Sequence, residues 1–198
     1  MLCFILFFGI DFAVYRKTMG WAEMLSVFVR SVLISFLLVY GGPLFALGEI
    51  RVYRRMERKA YERLGKPWGF LYKILGRFDP ALRKLNSVFR TCYYVLFGFP
   101  VVGIFVIGSV MGFYLCLFRN ALVLFSDVLF PHVFVEIPVY IVCASLGLMI
   151  AEKTREYIMG NDIRKMEDNI KKSFRLFVRF WPVIILVLLI SAYLEAFV

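Results

Sequence analysis

Residues 92–118 read CYYVLFGFPVVGIFVIGSVMGFYLCLF, twenty-seven positions in a row without an Asp, Glu, Lys, Arg or His. As an α-helix this run is about 40 Å long, enough to cross the roughly 30 Å hydrocarbon core of a bilayer. Three more stretches share the property. Met24–Gly48 carries Arg30 near its start and a Gly41-Gly42-Pro43 break in its second half; Pro131–Ala151 contains His132 and Glu136; Trp181–Val198 is just long enough. Composition agrees: 62% of the 198 residues are hydrophobic, against about 45–50% in a soluble domain. The chain reads as an all-α bundle of membrane-spanning helices in one domain, 1–198.

Charge supplies the orientation. The net charge is +10, concentrated in two blocks, with twelve Lys/Arg against four acids in 49–90 and eight against five in 152–182. Basic loops that alternate with apolar runs are expected on the cytoplasmic side. Nucleic-acid binding would leave the apolar runs unexplained, and is set aside. The first fifteen residues, MLCFILFFGIDFAVY, lack a charged leader and a cleavage site, so a removed signal peptide is not expected. They form a first short span or lie in the interface. The expected arrangement is thus five spans (1–15, 24–48, 92–118, 131–151 and 181–198) with the N-terminus inside and the C-terminus outside, or four spans with an interfacial N-terminal segment. Residues 121–130 are apolar but too short to cross, and read as a re-entrant piece or half-helix packed on protein.

The two basic loops, 49–90 and 152–180, show helical patterning. Ile163, Met166, Ile170, Phe174, Phe177 and Trp181 recur at steps of three and four, one face of a helix, with basic residues on the other positions. Asn161 or Asp162 can cap it. Such a helix is expected to lie on the inner membrane surface, its charges on anionic headgroups, before entering the last span; the alternative is an ordinary helix packed on a partner. Asp79-Pro80 likewise suits the start of a helix leading into 92–118.

The polar residues inside the spans are few. His132 and Glu136, four apart, share a helix face. Pro131 suits a first turn, whereas Pro138 sits deeper and is expected to kink the helix. The expected topology gathers Arg30, Arg119, Asp127, His132, Glu136 and Glu195 in the outer half of the bilayer. Charges there face a bundle interior or a water-filled cavity. They either fasten helices together or line a polar pathway or docking site. Catalysis is not expected: one histidine cannot complete HExxH, no nucleophile motif lies near it, and no phosphate-cradling loop is present. Cys3, Cys92, Cys116 and Cys143 lie in apolar runs without CxxC spacing and read as packing residues, so neither metal nor cofactor is implied. Gly108 and Gly112, like Gly147 and Ala151, permit close helix contact, inside the bundle or between two copies.

The stretch LFPHVFVEIPVYIVCASLGL, 129–148, resembles the signature of the stage II sporulation protein M family, matching it at Pro131, His132, Glu136, Pro138, Ala144 and Gly147. The closing SAYLEAFV, with Ala192 and Glu195, is similar to that family's C-terminal pattern, and Gly108 and Gly112 to its glycine-rich span. Val133, Val139 and Met111 depart from the usual Gly, Ala and Asn. The resemblance implies a membrane subunit of an envelope complex. Sporulating members anchor and localise wall hydrolases rather than cut the wall, and a remote similarity links the family to permease subunits of exporters. Two functions are therefore expected in competition. One is a non-enzymatic scaffold with a membrane or envelope protein partner. The other is a permease component in which His132 and Glu136 exchange a proton.

Overall fold

The computed structural model describes residues 21–56, 85–117 and 135–197, and every regular element among them is helical. Helix α1 (Trp21–Phe36) passes through a π-helical turn (Leu37–Gly41) into α2 (Gly42–Arg55). Helix α3 spans Ser87–Leu117 and α4 spans Ile137–Met159. Helix α5 (Ile163–Phe177) joins α6 (Trp181–Phe197) through a single 3₁₀ turn, Val178–Phe180. Four helical stretches are long and apolar enough to cross a membrane: Met24–Arg55, Ser87–Val110, Ile137–Met159 and Ile163–Leu194. Residues 1–15, the 121–130 segment and the Asp79-Pro80 start lie outside the described residues.

The helices are longer than their apolar runs. Residues 49–55, 87–91 and 152–159, within or beside the basic cytoplasmic stretches, continue the span helices, and their inward faces pack on one another. The result is a bundle with two cores. One unites Ile34, Leu38, Val39 and Tyr40 with Tyr140, Cys143, Ala144, Ile184 and Leu188, within the apolar spans. The other unites Ala46 and Ile50 of α2, Val88, Phe89, Cys92 and Leu96 of α3, Ala151 and Ile158 of α4, and Met166 and Ile170 of α5, at the basic end. Outward faces are apolar along the spans, as at Val101, Val102, Phe105, Val183, Leu186 and Ile190.

Helix α5 departs from expectation in a way that matters. Its apolar face does not lie on lipid. Met166, Ile170 and Phe177 are buried against protein, because α4 and α5 form an antiparallel hairpin standing below the spans. Asn161 makes the turn at φ 54°, a left-handed conformation that Asn tolerates. Asp162 caps α5 by accepting from the Lys165 N–H at 3.0 Å. Across the hairpin the Asn169 amide donates to Thr154 Oγ1 at 3.0 Å. Arg54 of α2 closes on Glu167 at 2.7 Å, and Lys171 pairs with the same carboxylate. The Lys171 hydrogen bond, helped by the Arg54 charge, holds the Glu167 carboxyl below its usual range.

The crossing of the helices is tight where the chain is least regular. A Cβ on Gly147 of α4 would collide with the Leu38 carbonyl of the π-turn and stand 2.9 Å from Pro100 Cγ of α3. A Cβ on Gly42 would stand 2.9 Å from the Val95 carbonyl. Backbones approaching this closely gain dispersion contacts, which drive helix association where lipid removes the hydrophobic incentive. A Cβ on Gly108 or Gly112, by contrast, would meet no atom of the described residues within 4 Å.

Candidate functional site

Glu136 is the buried carboxylate of the spans, 4% exposed, at the N-terminal end of α4. Val135 and Glu136 are π-helical, and the α-helix proper starts at Ile137 with Pro138 in its first turn. Pro138, which has no N–H to donate into the preceding turn, stands where the helix type changes; the kink expected there involves residues before Val135, which lie outside the described residues.

Each carboxylate oxygen of Glu136 holds a donor. Ser31 Oγ, 2% exposed on α1, donates to Oε1 at 2.8 Å. Tyr140 OH, 6% exposed and one turn along α4, donates to Oε2 at 3.0 Å. A buried carboxylate without donors would be severely penalised in a membrane interior, and these two hydroxyls answer that penalty while tying α4 to α1. Arg30 is half-buried and precedes Ser31 on α1.

Of the polar cluster expected from sequence, the structure thus places Arg30 beside the Ser31–Glu136 contact. Helix α6 runs antiparallel to α1, from Trp181 beside Tyr40 toward the first turns of α1, so the backbone of Glu195 lies at the same end of the bundle. Arg119, Asp127, Pro131 and His132 lie outside the described residues. Ser31 and Tyr140 were not singled out from sequence. Tyr140 carries a signal, its i+4 spacing from Glu136; Ser31 carries none.

A second pin joins the π-turn to the start of the last span. Trp181 Nε1 donates to Tyr40 OH at 3.0 Å. The Tyr40 ring stacks on Phe174 with centroids 4.5 Å apart and planes 9° apart. Phe36 packs on both Tyr40 and Trp181. Tyr40 is about 13 Å along the helix from Ser31, so the two pins bracket the apolar core at different depths. No group of three or more His, Cys, Asp or Glu able to hold a metal occurs among the described residues. Cys92 and Cys143 are buried and free, as packing residues.

Helical spans, largely apolar outer faces and a buried, hydrogen-bonded carboxylate where helices meet define a multi-pass membrane protein. The family model of stage II sporulation protein M matches residues 85–198, more than half of the chain, and the chain belongs to that family. The match holds α3 to α6, including Glu136 and Tyr140. No curated protein and no solved structure gives a match.

Proposed function

We propose that this chain is a non-enzymatic scaffold, an assembly subunit of a cell-envelope complex. In this reading the basic end faces the cytoplasm and the C-terminus faces outward. The single observation that carries it is the engagement of Glu136: both oxygens accept hydrogen bonds from buried residues of two helices, Ser31 and Tyr140. A carboxylate held in that way fixes geometry. The glycine contacts of Gly147 and Gly42 with facing backbone support the same reading, since they disfavour sliding of the helices. The outer end of the bundle, its helices fastened by the buried Glu136, would present a fixed surface to an extracytoplasmic or membrane partner, which includes a second copy of the chain.

A permease component is the second reading, and one observation favours it. Two spans are interrupted near Pro43 and Pro138, each by π-helical turns. Transporters use discontinuous helices to build sites in the bilayer, and His132 with Glu136 would be the proton-exchanging pair. Reconstitution separates the two. A scaffold moves no solute, alone or with an ATPase subunit, and Glu136→Gln leaves that baseline unchanged. Solute flux that Glu136→Gln abolishes would establish the permease.

A further inference from the structure

The burial of α5's apolar face in protein leaves its basic face outward, and only its last turns reach the level of lipid. Between residues 171 and 186 the exposed surface changes character. Lys171, Lys172 and Arg175 are exposed, then Leu176, Val178 and Phe180 at 44%, 55% and 49%, then Val183 and Leu186. That change locates the membrane boundary on this helix at the 3₁₀ turn. Lys172, Arg175 and Arg179 follow steps of three and four and share one stripe across it. From Lys172 to Arg179 the axial rise is about 10 Å, comparable to the roughly 5–8 Å headgroup layer of one leaflet once long side chains snorkel.

None of the three forms an ion pair with a described carboxylate. Glu167 is taken by Arg54 and Lys171, Glu152 by Arg155, and Asp162 by Lys165. Asp168, one turn below Lys172 and exposed, makes no pair with it either. Three cations without a carboxylate, interleaved with exposed hydrocarbon side chains, ask for a ligand that is anionic at one end and apolar at the other. A soluble anion would satisfy only the charges, and an acidic protein would have to cover Val178 and Phe180 at a depth that hydrocarbon already fills.

We propose that Lys172, Arg175 and Arg179 bind the phosphate headgroup of an anionic phospholipid, its acyl chain lying along Leu176, Val178 and Phe180. Arginine supplies a planar fork suited to phosphate oxygens, and lysine a mobile point charge. The bound lipid would sit against the same turn whose inner side holds Phe177, Trp181 and Tyr40. The proposal depends on where the spans end, not on the scaffold reading and not on which side the basic end faces.

The test uses the full chain in detergent, titrated with phosphatidylglycerol or phosphatidylcholine and read by native mass spectrometry of retained lipid. Phosphatidylglycerol should be retained preferentially. Each of Lys172→Ala, Arg175→Ala and Arg179→Ala should weaken that retention about fivefold, as expected for one charge near the surface. The swap K172R/R175K/R179K should keep it. A control with equal charge removed toward the turn of the hairpin, R155A/R164A/K165A, should also keep it. Equal losses in that control and in K172A/R175A/R179A, no preference in the wild type, or displacement of the lipid by inorganic phosphate would each overturn the proposal.

Discussion

At the scale of the residue, Glu136 decides most. Two hydroxyls are oriented by it, and both are buried with it. Replacing it by alanine removes both acceptors and leaves Ser31 and Tyr140 to find others in a low-dielectric setting. Hydrogen bonds between membrane helices are worth about 0.6 kcal/mol on average and at most roughly 1.7. Glu136→Ala should thus cost about 1–3 kcal/mol in a reversible unfolding titration in mixed micelles, and Ser31→Ala about half of that. Glu136→Gln, which keeps an acceptor of the same shape, should cost less than Glu136→Ala. A Glu136→Ala protein as stable as the wild type would remove the fastening role. The sequence exposed Glu136 as an anomaly, one acid in an apolar run, and it carried Arg30 beside the future contact. It could not expose Ser31. A serine inside a span has no periodicity of its own, and its partner lies 105 positions away.

At the scale of the element, the legible features were those with a local period or a local break. The spans follow from apolar length, α5 from its three-and-four spacing, and the interruption of the first described span from Gly41-Gly42-Pro43. What covers a helix face is not local, which is why α5 was expected on lipid and is found on α2 and α4. Small residues show the same limit. Gly108, Gly112 and Gly147 look alike in sequence, yet among the described residues only Gly147 abuts a facing backbone. Gly147→Ala should destabilise the bundle by about 1–3 kcal/mol, the usual cost of overpacking. Gly108→Ala should be neutral or slightly stabilising, since alanine is the better helix former. Differential scanning fluorimetry on the two variants checks the contrast, and equal shifts would contradict it.

The hairpin of α4 and α5 also has a pH dependence whose sign is fixed by Glu167. Its folded carboxyl lies below the ordinary range, chiefly through Lys171 and then Arg54, so the folded state binds its proton less readily than the unfolded state. Asp162, lowered mainly by the Lys165 backbone N–H, acts in the same direction. The stabilisation is therefore complete above the ordinary carboxylate range and is lost as pH falls through it and below. Limited proteolysis at the 160–162 turn should accelerate on acidification in the wild type. In Glu167→Gln it should be faster at neutral pH and change less with acid. A profile of the same amplitude in both would remove Glu167 from the account.

At the scale of the whole molecule, the described chain is a membrane bundle with a protein-packed extension at its basic end. Two hydrogen-bonded sets cross between the spans, the triad Ser31–Glu136–Tyr140 toward one side and the pair Tyr40–Trp181 toward the other. Lipid faces are apolar, and the extension is solvated by charges that pair across helices, as Arg54 does with Glu167. The scaffold proposal reads a molecule built in this way as a fixed platform with two different ends. Family and fold class were legible because the 129–148 motif and the apolar runs are contiguous. The partner was not, because a partner is recognised by a surface assembled from several helices.

The most direct test of that account is gentle extraction of this chain from its native membranes, affinity capture, and quantitative mass spectrometry of what accompanies it. The account predicts an envelope protein in stoichiometric amount, retained by the wild type and held less firmly by Glu136→Ala. A stoichiometric ATPase subunit in its place, with solute flux on reconstitution, would contradict it.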